Sequence, residues 1–326
     1  AGQLSPYDPL VKKYATMYEL DWRLVTPQTY QEPRFDPVAR SWAGALGLSD
    51  RAALIDTRRG PEATGQRNLT MFPYRDENET VRTPFATYAL IGLNVGTWLL
   101  VQGAGSTLPL MKSVCELGLI PGELTLSVPP GTRFPMGEGL ACLTDPGRQT
   151  SHIFTSMFLH GSWMHMLGNM WFLWIFGNNV EDAMGRIRFL IFYLLTGVAA
   201  ALTQVLLTPA SAVPMVGASG AISGVMGGYI LLYPHVRVFV MVPLGFFLTS
   251  MAWPAWMMLG YWLLLQFVSG LTVLGREGGG VAFWAHFGGF VGGVVLVKLF
   301  ARPAYIAQHQ ARHWRPRHVG LHSRDR

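Results

Sequence analysis

Residues 189–236 read FLIFYLLTGVAAALTQVLLTPASAVPMVGASGAISGVMGGYILLYPHV, without one Asp, Glu, Lys or Arg. About 20 apolar residues suffice to cross a bilayer. This run holds two such stretches, divided near Pro209 and Pro214. A second uncharged run follows from Val238 to Gly275. The whole chain agrees. Of its 326 residues 50% are hydrophobic and 13% charged, against about 25% charged in soluble chains. The composition predicts an all-α, polytopic membrane protein.

Outward from that run, six transmembrane helices are expected, near 85–101, 163–178, 189–207, 215–232, 246–268 and 281–300. Residues 238–244 are apolar but reach Pro243, and are expected to be loop or interfacial. Pro254 is expected to kink span 5. That span is bulky, with Phe246, Phe247, Trp253, Trp256 and Trp262. These aromatics read as a gate or as lipid-facing residues near an interface.

Lys and Arg near the span ends set orientation. Arg67, Arg75 and Arg82, then Arg186 and Arg188, then Arg237, then Arg302, Arg312, Arg315 and Arg317 alternate to one side. Both termini are expected in the cytoplasm, with the chain in the inner membrane. The net charge of +6 then reflects topology, and no nucleic acid partner is expected. Cys115 and Cys142 share the 102–149 loop and lack metal-ligand spacing. A disulfide is expected there if the loop faces an oxidising compartment. No cleavable signal peptide is expected before the spans, so span 1 itself directs insertion.

Residues 1–66 are polar. Within them YDPLVKKYATMYELDWRLVTPQTYQEPRFDPVARSWAGALGL (7–48) resembles the opening of a soluble lytic transglycosylase domain. In that family the Glu of a Gln-Glu-Ser-Arg-Phe-Asp-Pro motif is the catalytic acid, and Glu32 falls there. Pro33 replaces the Ser, and Pro27 interrupts the preceding helix at a cost of about 3 kcal/mol. The likeness stops after Leu48, and so short a segment buries no self-supporting core. We read it as an inactive fragment followed by a disordered linker at 58–67. The membrane domain is expected over 67–300, with a basic cytoplasmic tail at 301–326.

Polar residues inside spans are costly and are functional candidates. Ser219 stands out. Gly217 and Gly220 flank it, permitting a tight turn and close approach of a substrate backbone. It opens a helix, where free N–H groups and the dipole favour an oxyanion. His286 in span 6 is the candidate base. Gly220, Gly224 and Gly228 in span 4 and Gly288, Gly289, Gly292 and Gly293 in span 6 predict close helix contact. That contact brings Ser219 toward His286. No acid is placed to complete a triad, so a dyad is expected, with the third role absent or filled by packing. His165 and Asn169, four apart on one helix face, are candidate oxyanion donors. His-Glu-x-x-His is absent from the sequence, and neither a metal nor a cofactor is expected. Ser223 reads as packing.

HGSWMHMLGNMWFLWIFGNNVED (160–182), VGASGAISGVMGGY (216–229) and AHFGGFVGG (285–293) together resemble the rhomboid family of intramembrane serine proteases. The resemblance implies a six-helix rhomboid-like bundle, with Ser219 as nucleophile, His286 as base, and His165 and Asn169 at the oxyanion. It implies transmembrane segments of membrane proteins as substrates, entering from the lipid bilayer between spans 2 and 5. His160 matches a further loop histidine, read as structural. The sequence departs from the family in two places. Ser151 and His152 stand where it has Trp-Arg, and Ser223 stands where an aromatic packs on the histidine. His286 therefore needs another packing partner. The competing readings are an inactive relative that holds client helices, a transporter, and peptidoglycan lysis by the 7–48 segment.

Overall fold

The computed structural model describes residues 72–137, 140–244, 247–273 and 281–313. The chain divides into two units, Ala1–Thr70 and Met71–Arg326, and all of the described residues belong to the second. The transglycosylase-like stretch with Glu32, the 58–67 linker and residues 314–326 lie outside the described residues.

In chain order the elements are β1 (Phe72–Asp76), α1 (Phe85–Leu100), α2 (Thr107–Leu117), α3 (Pro121–Thr125), β2 (Arg133–Gly137) and β3 (Leu140–Leu143). Then come α4 (His152–Thr155), α5 (Trp163–Phe172), α6 (Asn178–Met184), α7 (Arg186–Leu207) and α8 (Ser219–Leu232). The last are β4 (Arg237–Leu244), β5 (Phe247–Pro254), α9 (Ala255–Val273), α10 (Phe283–Phe300) and α11 (Pro303–His313). A π-helical turn at Leu173–Gly177 joins α5 to α6. Helices α7, α9 and α10 are long and apolar enough to cross a membrane, and α1 and α8 are apolar but shorter.

The centre of the bundle is α8. Every residue from Gly220 to Tyr229 is buried, as expected for a helix apolar on all sides. Its small side chains let α10 approach to backbone contact. A Cβ on Gly289 would strike the Gly220 carbonyl, and one on Gly293 the Gly224 carbonyl. In return, a Cβ on Gly227 would strike the Phe290 carbonyl. On another face, a Cβ on Gly220 would lie 2.6 Å from the Ala200 Cβ of α7. Close approach of this kind maximises dispersion where lipid offers no hydrophobic driving force.

The fold is mostly helical rather than all-α. Strands β1, β4 and β5 form an antiparallel sheet in that order. The β4–β5 register runs from Arg237 opposite Pro254 to Leu244 opposite Phe247. Val238, Val240 and Val242 alternate inward and are buried, which is strand periodicity with β-branched residues. The 238–244 run is therefore a strand, not a loop. The expected span 5 is corrected as well: residues 247–254 are its hairpin partner, and the helix starts at Ala255. Pro254 ends the strand and kinks no helix. Short apolar runs fit strand and helix alike by periodicity.

At the end of the bundle away from Ser219, carboxylates hold the helix ends together. Glu181 accepts from Ala86 N (2.9 Å), Thr87 N (2.7 Å) and Thr87 Oγ1 (2.8 Å), capping α1. Asp182 accepts from the Val81 and Arg82 amides and the Arg82 guanidinium. His309 of α11 lies 3.0 Å from Asp182 and 2.9 Å from Asn78. Asp76 accepts from Tyr229 Oη at 2.6 Å and Asn179 Nδ2 at 2.8 Å. In the 102–149 loop, Cys115 and Cys142 form a disulfide.

Candidate active site

Gly217 makes the turn into α8. Its φ of +133° belongs to a region that side chains with a Cβ avoid. Its N–H donates to Ser156 O at 2.9 Å. Ser219 is the first residue of α8, so the surrounding N–H groups have no partner within the helix. Gly220 serves the helix contact described above rather than the turn.

His286 Nε2 lies 2.8 Å from Ser219 Oγ. On the other side of the ring, Nδ1 lies 2.8 Å from Gln266 Oε1. An amide oxygen only accepts, so Nδ1 carries the proton and the Nε2 lone pair faces the hydroxyl. This is the arrangement that general-base activation of serine requires. The Trp262 ring packs on His286 with centroids 5.9 Å apart, supplying the aromatic partner that Ser223 does not. Ser223 Oγ instead donates to Ser219 O at 2.6 Å. Gln204 Oε1 of α7 accepts from Ala285 N at 3.1 Å and so holds the backbone beside the histidine.

His165 approaches the turn at Gly217 from α5. Ser162 caps α5 by accepting from His165 N at 3.1 Å. The His165 Nδ1 accepts from Gly161 N at 3.3 Å, which leaves the proton on Nε2. The space a Cβ on Gly217 would fill lies 2.8 Å from that Nε2 and 3.4 Å from Ser219 Oγ. Asn169, one turn further along α5, is buried, and among the described residues its Nδ2 has no hydrogen-bond partner. A buried donor without a partner is costly unless function uses it. His160 is fully buried and packs edge-on against His165 at 5.2 Å. Gln102 clasps the His160 backbone by two hydrogen bonds of 2.8 Å.

The structure thus places Ser219 against His286, and His165 beside Gly217. Sequence reasoning gave no role to Gln266, Gln204 or Gln102, and it read Trp262 as a gate or lipid-facing aromatic rather than as the packing partner of His286. The available signal for the glutamines was a polar side chain in an apolar segment.

Comparison with known proteins adds a domain match. Residues 147–303 match the Rhomboid domain. Ser219, His286, His165, Asn169 and Gln266 all lie inside this rhomboid match. The chain is 33% identical over 156 residues to Rhomboid-like protein 11, chloroplastic, of Arabidopsis thaliana, covering 45% of this chain and 51% of that protein. It is 34% identical over 113 residues to Rhomboid protein 1, mitochondrial, of Saccharomyces cerevisiae, covering 32% and 33%. It is 31% identical over 145 residues to Rhomboid-like protease 5 of Toxoplasma gondii, covering 43% and 15%. The chain spans about half the length of the first of these relatives and less of the others. These similarities support a rhomboid likeness for the part of the chain that carries the site. The transglycosylase-like stretch lies outside the rhomboid match.

Proposed function

We propose that this chain is a rhomboid-family intramembrane serine protease that cleaves transmembrane segments of other membrane proteins. The observation that carries the proposal is the 2.8 Å contact of Ser219 Oγ with an unprotonated His286 Nε2. In the reaction, Oγ attacks the peptide carbonyl carbon and its proton passes to Nε2. The carbonyl oxygen becomes an oxyanion, met by His165 Nε2–H, Asn169 Nδ2–H and the Ser219 backbone N–H. Collapse breaks the C–N bond, and His286 returns the proton to the leaving amine. Water, activated by the same nitrogen, then hydrolyses the acyl-enzyme.

The proposed topology has six spans, counting the continuous 163–184 helix, with both termini in the cytoplasm. A disulfide fits an outward-facing loop. Helix α8 has 14 residues and rises about 21 Å, less than the roughly 30 Å of a hydrocarbon core. A helix this short leaves Ser219 recessed below the outer surface, at the depth of a substrate's membrane-embedded end. Substrates enter laterally between α5 and α9.

The test is cleavage of a model transmembrane substrate by wild type, Ser219→Ala and His286→Ala. Wild type is expected to cut and both variants to be inactive. Fluorophosphonate labelling of wild type, lost in Ser219→Ala, is the companion assay. Folded wild type that neither labels nor cuts would identify an inactive helix-binding relative. Peptidoglycan clearing lost in Glu32→Ala but retained in Ser219→Ala would assign the activity to the other end of the chain.

A further inference from the structure

We infer that Gln266 is a positioning residue of this proposed site, the third member that completes the Ser219–His286 pair. The inference rests on the proposed protease reading and extends it.

Three observations carry it. First, the contact is specific: Gln266 Oε1 lies 2.8 Å from His286 Nδ1, the ring nitrogen that does not face Ser219. An acceptor there selects the tautomer whose Nε2 takes the serine proton. With a donor there instead, the proton would sit on Nε2 and the dyad would be incompetent. In serine hydrolases a third group does this orienting, and it acts without itself taking a proton. A neutral amide meets that requirement and introduces no buried charge, which an apolar bundle would penalise.

Second, Gln266 and Trp262 are four residues apart on α9, and both meet the same imidazole. Residues at that spacing share a helix face. One fixes the ring's proton and the other its plane. Trp262 also packs on Phe290, one turn beyond His286 on α10.

Third, the two elements are otherwise joined by aromatic packing. Phe267 meets Trp284 and Phe287 at centroid distances of 5.9 and 5.4 Å. Packing of that kind tolerates sliding, whereas the Gln266 hydrogen bond does not. The orientation of the base is therefore tied to the seating of α9.

The experiment compares wild type, Gln266→Leu and Gln266→Glu in lipid vesicles. It measures kcat and KM for a transmembrane substrate across pH, the fluorophosphonate labelling rate, and thermal unfolding. Gln266→Leu removes the acceptor and is expected to lower kcat and labelling about tenfold, the size of one hydrogen bond, with KM little changed. Gln266→Glu keeps an acceptor and is expected to retain most activity. Its carboxylate favours the imidazolium, so the acid limb of its pH–rate profile is expected to move up by about one unit. Gln266→Leu at wild-type kcat, or Gln266→Glu with an unmoved acid limb, would overturn the inference. If Gln266→Leu fails to fold, the limb of Gln266→Glu decides alone. Labelled wild type distinguishes failure of this inference from failure of the protease reading, which predicts that label.

Discussion

His286 meets Ser219 from α10 and His165 lies beside Gly217 from α5, and the two imidazoles hold opposite tautomers. Gly161 N–H on one Nδ1 and Gln266 Oε1 on the other make one imidazole a donor toward the serine and the other an acceptor. The pair needs no carboxylate to divide those roles.

That division predicts different losses. Ser219→Ala and His286→Ala should abolish turnover. His165→Ala and Asn169→Ala should each lower kcat by about 10²–10³-fold, the usual cost of one oxyanion donor, with a smaller effect on KM. Steady-state kinetics on a transmembrane substrate decide it. An unchanged kcat in both variants would remove them from the oxyanion site.

Gly217→Ala should be damaging although it adds one methyl group. The backbone conformation is strained for alanine, at a cost of about 1–3 kcal/mol. The new Cβ would also lie 2.8 Å from the His165 ring. Lower thermal stability and lost fluorophosphonate labelling are expected together. A variant as stable and as reactive as wild type would show that the turn is not required.

Burial pushes the Asp76 carboxyl up from 3.8 to about 7, against the lowering effect of the Tyr229 hydroxyl. Between these values the folded chain keeps the proton and the unfolded chain has released it. The Asp76 contribution to stability therefore falls as pH rises through this window and levels off above about 7. Asp76→Asn carries no such titration. Melting curves at a series of pH values should show the variant gaining on wild type from about pH 4 to about 7. Parallel pH dependences would contradict this.

Reduction of Cys115–Cys142, a bridge of sequence separation 27, should destabilise the domain by about 2–4 kcal/mol. Thermal unfolding with and without reductant measures the loss. Maleimide mass labelling reports whether the thiols were bonded. Free thiols in native protein from its own membrane would refute the pairing.

The helix contacts and the sequence positions of Ser219 and His286 were legible because membranes restrict the vocabulary. Glycine at four-residue spacing marks close helix approach, and a polar group in an apolar run stands out. The hairpin at 237–254 was not legible. Its residues are as apolar as a span, and Val238, Val240 and Val242 alternate over too short a length to overrule that. Gln266 was visible as a polar residue, but its target was not. A side chain that meets another 20 residues away, on a different helix, leaves no periodic trace.

The hairpin has a mechanical consequence. Ala255 at the start of α9 is fully buried, and its N–H donates to Val236 O at 2.8 Å, while Trp256 N–H reaches Pro234 O at 3.0 Å. The turn that leads into β4 thus clamps one end of α9 and makes the helix a lever. Gln266 sits 11 residues from that fulcrum, about 17 Å along the axis. A tilt of about ten degrees there displaces its amide by about 3 Å, more than any hydrogen bond survives. The imidazole thus stays armed only while α9 keeps its seat against α10.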